Sequence, residues 1–281
     1  MARVLIVIPA RYHSKRLPGK PLREIAGVPM IERVARVAAS VCRAAGDRDH
    51  VVATDHADIE RFCRSRGLPI VMTPDTCRDG TERCRLAVEA LEREGRKRPH
   101  LIVNLQGDNP LCPPWVVSAV IRAWEESPGA AVYTPCVRLD WKEYDALVEA
   151  KKTTPFSGTT VLVDKHLRAL AFSKAILPVI RRPEEARCAS PLSPVRRHVG
   201  LYAYTYEALR QHATLEESPY ERAEVEGLEQ ARFLHNALPV QAVEVDYRGR
   251  ETTAGVDSEE DIARVEAILA RHGEFDSSRE E

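Results

Sequence analysis

Apolar positions in the first half of the chain alternate between short unbroken runs and stripes at helical spacing. "RVLIVIP" (residues 3–9) is an apolar run rich in β-branched residues, and it predicts a strand buried on both faces. Beyond a loop punctuated by Pro and Gly, Met30, Val34, Val37 and Val41 recur at the period of a helix, and Gly46 supplies a stop. The alternation continues with strands expected at 50–54, 69–72, 101–106 and 131–136. Between them lie helices through Ile59 and Phe62, over about 82–94, and over 114–124 with Val116, Val117, Val120 and Trp124 on one face. Repeated strand–helix–strand units predict an α/β fold with a mostly parallel sheet flanked by helices. Ligands in such folds bind beyond the carboxyl ends of the strands. The loop after the first strand and the "QGDNP" after residues 101–105 are therefore expected to share a crevice.

From about residue 137 the rhythm changes. "TTVLVDKHLRALAFSK" and "HVGLYAYTY" predict neighbouring antiparallel strands, and the "RRPEEARCASPLSP" between them reads as an exposed, mobile loop. A helix around 221–235, a strand "VQAVEV" and a last helix follow. In that last helix Ile262, Val265 and Leu269 form the apolar stripe, and Ser258 with Asp261 resembles a capping box. Residues 274–281 are expected to be a disordered tail.

Composition narrows the classes. With 281 residues, 30% of them charged and 44% hydrophobic, the chain reads as an ordinary globular protein. A formal net charge of −1 gives no whole-surface attraction to nucleic acid or anionic lipid, and no apolar run reaches membrane-spanning length. "MARVLIVIPAR" reads as a first strand and not as a signal peptide. The seven cysteines form no C-x-x-C pair, which argues against zinc and redox dithiols and fits reduced thiols in a cytoplasm.

Near-neutral charge makes local charge informative. "RYHSKRLPGKPL" crowds Arg11, His13, Lys15, Arg16 and Lys20 into one loop at a strand end. Such a loop is either a cradle for a polyanion or a solvated turn. Asp108 at a strand end suits a hard metal ion, or a turn; Asp257 suits the same metal, or a helix cap. Gly80 and Thr81 open a helix, where backbone N–H groups can meet an anion or a base edge. His198 and Tyr202, four apart on one expected strand, would share a face, in a cleft or in the core.

The combination resembles a known family. "IPARYHSKRLPGKPL", "VVATDH", "DGTERC", "VNLQGDNP", "RHVGLYAYT", "LEQARFL" and "AGVDSEEDIARV" occur in the order and approximate spacing of the CMP-Kdo synthetases. These are the 3-deoxy-manno-octulosonate cytidylyltransferases of the sugar-nucleotidyltransferase superfamily, and the similarity runs from residue 3 to about 270. The resemblance implies a Rossmann-like sheet with a smaller antiparallel subregion for dimerisation and acceptor binding. It also implies a homodimer that uses CTP and Mg²⁺ and releases pyrophosphate. A single domain over 1–273 is expected, its nucleotide part at about 1–136 and 238–273 and its acceptor part at about 137–237.

Carried over position by position, Arg11, Ser14 and Lys20 match the triphosphate side and Gly80 and Thr81 the segment that reads the cytosine, and Ala10 and Asp79 are counted with them as nucleotide-binding. Arg83 and Gln106 match positions that border nucleotide and sugar, while Lys174, His198, Tyr202 and Glu229 fall near the acceptor. Asp108 and Asp257 match the magnesium pair, and Lys20, Arg11 and Asp108 form the implied catalytic set.

Departures gather on the acceptor side. Asn109 stands where the family carries an acid, Asp79 where it carries Ser, Thr160 where it carries Lys, and Lys174 where it carries Arg. They favour an acceptor other than Kdo: a small anionic compound such as the phosphonate phosphonoformate, in specialised metabolism. The alternative is Kdo itself, for lipopolysaccharide. A catalytically inactive nucleotide-binding regulator is the alternative of another class, and the presence of both aspartates and Lys20 speaks against it.

Overall fold

The structure, a computed structural model, describes residues 3–14, 16–251 and 255–275. In chain order the first elements are β1 (Val4–Ala10), β2 (Glu24–Ile25), β3 (Val28–Pro29), α1 (Met30–Arg43), β4 (Arg48–Thr54), α2 (Ala57–Ser65) and β5 (Ile70–Met72). Next come α3 (Gly80–Arg93), β6 (Leu101–Leu105), α4 (Pro114–Glu126), β7 (Val132–Asp140), α5 (Trp141–Thr153), β8 (Thr160–Val163) and β9 (Ala169–Ser173). The chain then forms α6 (Pro183–Ala189), β10 (Leu192–His198), β11 (Leu201–Thr205), α7 (Tyr206–Gln211), α8 (Ala231–His235), β12 (Val240–Glu244) and α9 (Glu259–His272). The chain divides into two compact units, one of residues 1–122, 201–213 and 247–281, the other of 123–200 and 214–246.

In the first unit β1 is the central strand, as its apolar run predicts: Val4, Ile6, Val7 and Ile8 are fully buried. It pairs in parallel with β4 on one side and β6 on the other, and β5 extends the sheet beyond β4. Strand β11 adds to the far edge of β6, antiparallel. The order β5-β4-β1-β6 reverses direction between β1 and β6, so the loops leaving these two strands flank a topological switch point. Helix α9 closes a satellite core in which Ile262, Val265, Ile268 and Leu269 meet Leu17, Ile25, Met30 and Leu111. Ser258 and Asp261 form its capping box, as the sequence predicts.

In the second unit β12 lies parallel to β7, and β7, β10, β8 and β9 follow as antiparallel neighbours. Three expectations change here. The 181–194 segment is not a loop throughout: Pro183 at the first helical turn and Glu184 and Glu185 behind it start α6, and β10 begins at Leu192. The helix expected over 221–235 reduces to a 3-10 turn at Pro219–Glu221 and the short α8, because Gly227 sits at φ 63 and ends any helix before it. Helix α5 is an addition to the expected elements; its apolar stripe of Trp141, Tyr144, Leu147 and Val148 is only half-buried.

The unit boundaries also differ from the expected division. Residues 123–136 and 238–246 fall in the second unit, and 201–213 in the first. At the tail, Glu274 accepts from Arg33 and the Phe275 ring meets Trp115 edge-on, while residues 276–281 of the expected disordered tail lie outside the described residues.

Candidate active site

The basic loop begins where β1 runs out at Ala10, and its backbone folds back on itself. Gly19 N–H donates to the Tyr12 carbonyl at 3.2 Å, and Lys20 N–H to the Leu17 carbonyl at 3.2 Å. Gly19 adopts φ 65, a conformation glycine enters without steric cost, and it delivers Lys20 and Pro21 into a short 3-10 turn. Ser14 Oγ accepts from the Leu17 N–H at 3.3 Å, so this residue shapes the loop from within. Arg11 is exposed and has no acidic partner among the described residues. Lys15 lies outside them.

Lys20 turns inward. Its Nζ lies 2.7 Å from Asp108 Oδ2 and 3.0 Å from Asp257 Oδ1, so one ammonium bridges two carboxylates 88 and 237 positions away. Burial alone would pull the Lys20 pKa down, but the two aspartates more than offset it and the pKa is raised. Arg16 reaches the other oxygen of Asp257 at 2.8 Å from an exposed position.

Backbone close approach fixes the acids. The Gly107 Cα lies so near the end of β1 that a Cβ there would stand 2.6 Å from the Pro9 carbonyl oxygen. The Val256 N–H donates to the Asp108 carbonyl at 2.8 Å, tying the segment before α9 to the segment after β6. A Cβ on Gly255 would lie 3.1 Å from the Asp108 carboxylate, so glycine leaves a cradle around that group. Asp108 Oδ1 is itself buried and has no hydrogen-bond partner among the described residues. Two hard carboxylate donors, one with an orphaned oxygen in a cradle, fit Mg²⁺.

Helix α3 points its N-terminus at the same strand ends. A Cβ on Gly80 would lie 3.3 Å from Asn104 Nδ2 and 3.6 Å from Pro9 Cγ. Asp79 caps the helix by accepting from the Glu82 N–H at 2.7 Å, and Thr81, fully buried, meets the Tyr204 hydroxyl at 2.7 Å. Gln106 is half-buried in the turn where its carbonyl accepts from Asn109 N–H. Ala10, Arg11, Ser14, Lys20, Asp79, Gly80, Thr81, Gln106, Asp108 and Asp257 thus all belong to the first unit.

Arg83 is committed to internal partners. Its guanidinium pairs with Asp55 Oδ2 at 2.7 Å and donates to Thr73 Oγ1 at 2.7 Å, and both members of the ion pair are buried. The guanidinium expected at the border of nucleotide and sugar is thus already held by the residues that follow β4 and β5.

His198 and Tyr202 do not share a strand. Val199 and Gly200 separate them, leaving His198 as the last residue of β10 in the second unit and Tyr202 in β11 of the first, where it stacks on Tyr204. His198 Nε2 lies 2.7 Å from Thr134 Oγ1 and its ring meets Phe172 edge-on at 5.1 Å. Removal from water, with a smaller push from the Lys174 charge, drives its pKa down to about 3, so the imidazole is neutral at physiological pH.

Lys174 donates to Thr159 Oγ1 at 3.0 Å and its backbone N–H donates to Glu226, which also accepts from Ser173 Oγ. Burial lowers the Lys174 pKa, with Glu226 opposing. Glu229 is half-buried in the same unit, just ahead of α8.

Several residues of these networks went unread in the sequence: Gly107, Gly255, Asp55, Thr134 and Glu226. Each acts through a partner distant along the chain, which local spacing does not reveal. The Lys151 Nζ, within hydrogen-bond reach of the nearby Pro155, Ser157 and Gly158 carbonyls, is another through its donation to the Lys174 carbonyl 23 positions away.

Comparison with known proteins gives the geometry its context. A cytidylyltransferase family model matches residues 5–244. A 3-deoxy-manno-octulosonate cytidylyltransferase of Maricaulis maris is 43% identical over 97% of this chain and 99% of its own length. The mitochondrial enzyme of that name from Arabidopsis thaliana is 33% identical over 95% of this chain and 83% of its own. Among solved structures, a CMP:2-keto-3-deoxy-manno-octonic acid synthetase complexed with CTP superposes with a TM-score of 0.79 and 32% identity, covering 95% of this chain and 98% of that one. A match of this extent, to an α/β chain whose basic loop, paired aspartates and α3 N-terminus lie in one unit, makes the protein an enzyme of the nucleotidyltransferase class: the chain belongs to the cytidylyltransferase family.

Proposed function

We propose that this cytidylyltransferase acts on 3-deoxy-manno-octulosonate, forming the CMP-sugar from CTP and releasing pyrophosphate. The observation that carries the reading is the convergence of Lys20 with Asp108 and Asp257 beside the loop of Arg11, in a chain whose relatives bear that activity in their names along almost their full length. The sequence expectation of a non-Kdo acceptor gives way. The departures behind it have local structural duties: Asp79 caps α3, and Thr160 Oγ1 donates to the Ala175 carbonyl while accepting from the Leu177 N–H. Such duties need no change of substrate.

In this reading Arg11 and Lys20 oppose the negative charge of the triphosphate, and the α3 N-terminus at Gly80 and Thr81 faces the base. An acceptor hydroxyl oxygen bonds to the α-phosphorus as the bond to the α–β bridging oxygen breaks, and the hydroxyl proton is released. Positioning and charge neutralisation supply the rate, with no covalent enzyme intermediate. Asp108 and Asp257 would hold Mg²⁺, which when bound adds neutralisation of the phosphates. We also propose that the enzyme works in the cytoplasm as a homodimer; exposed apolar residues of the second unit such as Phe156 and Val179 support the dimer, and sedimentation velocity tests it.

The test is pyrophosphate release from CTP and Mg²⁺ with Kdo, other ulosonic acids and phosphonates in parallel. Release with Kdo above all others is the expected result. Release with phosphonoformate and none with Kdo would restore the other acceptor class, and silence with every acceptor would point to a regulator.

A further inference from the structure

The basic loop is held by a ring stack that the chemistry above does not use. Tyr12 lies face to face with His56, ring centroids 3.8 Å apart and planes 10° from parallel. The His13 ring stands edge-on to both, at 5.8 and 5.9 Å. The phenol end of the Tyr12 ring also approaches Gly19, where an added Cβ would lie 3.5 Å from it. The same tyrosine's carbonyl accepts the Gly19 N–H. Tyr12 therefore follows Arg11 directly and touches the residue that directly precedes Lys20.

His56 is itself anchored. Its Nδ1 accepts from the Asp58 N–H at 3.2 Å as the N-cap of α2, which fixes the ring's direction. The preceding residue, Asp55, is locked in the buried pair with Arg83 of α3. A continuous chain of contacts thus runs from α3 through Arg83, Asp55 and His56 to Tyr12 and the ends of the loop. A loop of this length left unsupported would carry its two cations through many arrangements, and each would have to be frozen when a polyanion binds.

We propose that Tyr12 and His56 are positioning residues, an aromatic clamp that sets the separation of Arg11 and Lys20 before the triphosphate arrives. The clamp rests on reading the loop as the triphosphate site. Its contribution is that of one stack, so losing either ring is expected to weaken CTP binding about 3- to 10-fold.

The experiment is CTP calorimetry on Tyr12→Ala, His56→Asn, the double variant and Tyr12→Phe, with melting temperatures recorded alongside. Asparagine is a good N-cap, so His56→Asn keeps the α2 cap and removes only the ring. Tyr12→Ala and His56→Asn should each raise the Kd for CTP by the same factor, and the double variant by no more than one of them. Tyr12→Phe, which keeps the stack, should bind as the native chain does. Native-like affinity in His56→Asn, or losses that multiply in the double variant, would overturn the clamp. If the native chain itself fails to bind CTP, the triphosphate reading falls instead, and the two failures are told apart by that control.

Discussion

Acidification is expected to destabilise the protein through His198 well before the carboxylates titrate. In the unfolded chain this histidine titrates near 6.5, whereas in the fold its removal from water and the nearby Lys174 charge hold it at about 3. The folded pKa is the lower one, so below pH 6.5 the unfolded state binds a proton that the native state refuses. The stability tied to neutral His198 is therefore fully present above 6.5 and lost as pH falls towards the folded value. The slope approaches about 1.4 kcal/mol per pH unit, and the loss between pH 7 and 5 comes to about 2 kcal/mol. That figure is a ceiling, because His198 keeps a partly exposed surface through which water screens the charge. Urea unfolding at pH 7 and pH 5 measures it, with His198→Gln as reference: glutamine can still reach Thr134 Oγ1 but does not titrate. The native chain should lose up to about 2 kcal/mol more than the variant over this interval, and other histidines, such as the buried-shifted His50, cancel in the difference. Equal pH dependence in the two proteins would refute the reasoning.

Asp108→Asn removes one of the two carboxylates around Lys20; pyrophosphate release should fall by at least about 100-fold, and Mn²⁺ binding followed by electron paramagnetic resonance should weaken with it. Asp55→Ala strands Arg83 as a buried unpaired cation and should cost about 3–5 kcal/mol in urea unfolding, of which Arg83→Met in the same chain should restore a large part. Gly107→Ala forces a Cβ to within 2.6 Å of the Pro9 carbonyl and should cost about 1–3 kcal/mol, visible in calorimetry as a lower Tm; an unchanged Tm would contradict the close approach. On the alkaline side, the raised Lys20 pKa means its stabilisation holds through the ordinary lysine range and fades only above it, and Lys20→Met should remove that component from the pH curve.

What could be read in the sequence was what depends on neighbours along the chain. The run Val4–Ala10 announced a buried strand because every position is apolar, and Ser258 with Asp261 announced the start of α9 because a capping box is a local device. The same kind of signal stands at α5, where Asp140 and Glu143 form a capping box ahead of a helix whose apolar stripe, Trp141, Tyr144 and Val148, is only half-buried. Conversely, the four-residue spacing of His198 and Tyr202 suggested a shared strand face, and the turn at Val199 and Gly200 removed it. Asp108 and Asp257 were each ambiguous alone, and only family resemblance joined them. Nothing in the spacing of Arg83 tells that Asp55 will neutralise it, since that pairing is made by β4 and α3 meeting in space.

The span of the Lys20 contacts has a consequence for synthesis. Asp257 lies 237 positions beyond Lys20, and the first unit takes its chain from three separate stretches, the last of them carrying α9. A nascent chain emerging from the ribosome therefore displays the whole basic loop long before it owns the second carboxylate. Loop closure over such a distance is a late event in folding, and it waits for the C-terminal stretch to be made. A truncated product that stops short of α9 has the cations without their full counter-charge and lacks the apolar cover over Leu17 and Met30. The carboxylate pair around Lys20 is thus completed only once the stretch carrying Asp257 and α9 has been made.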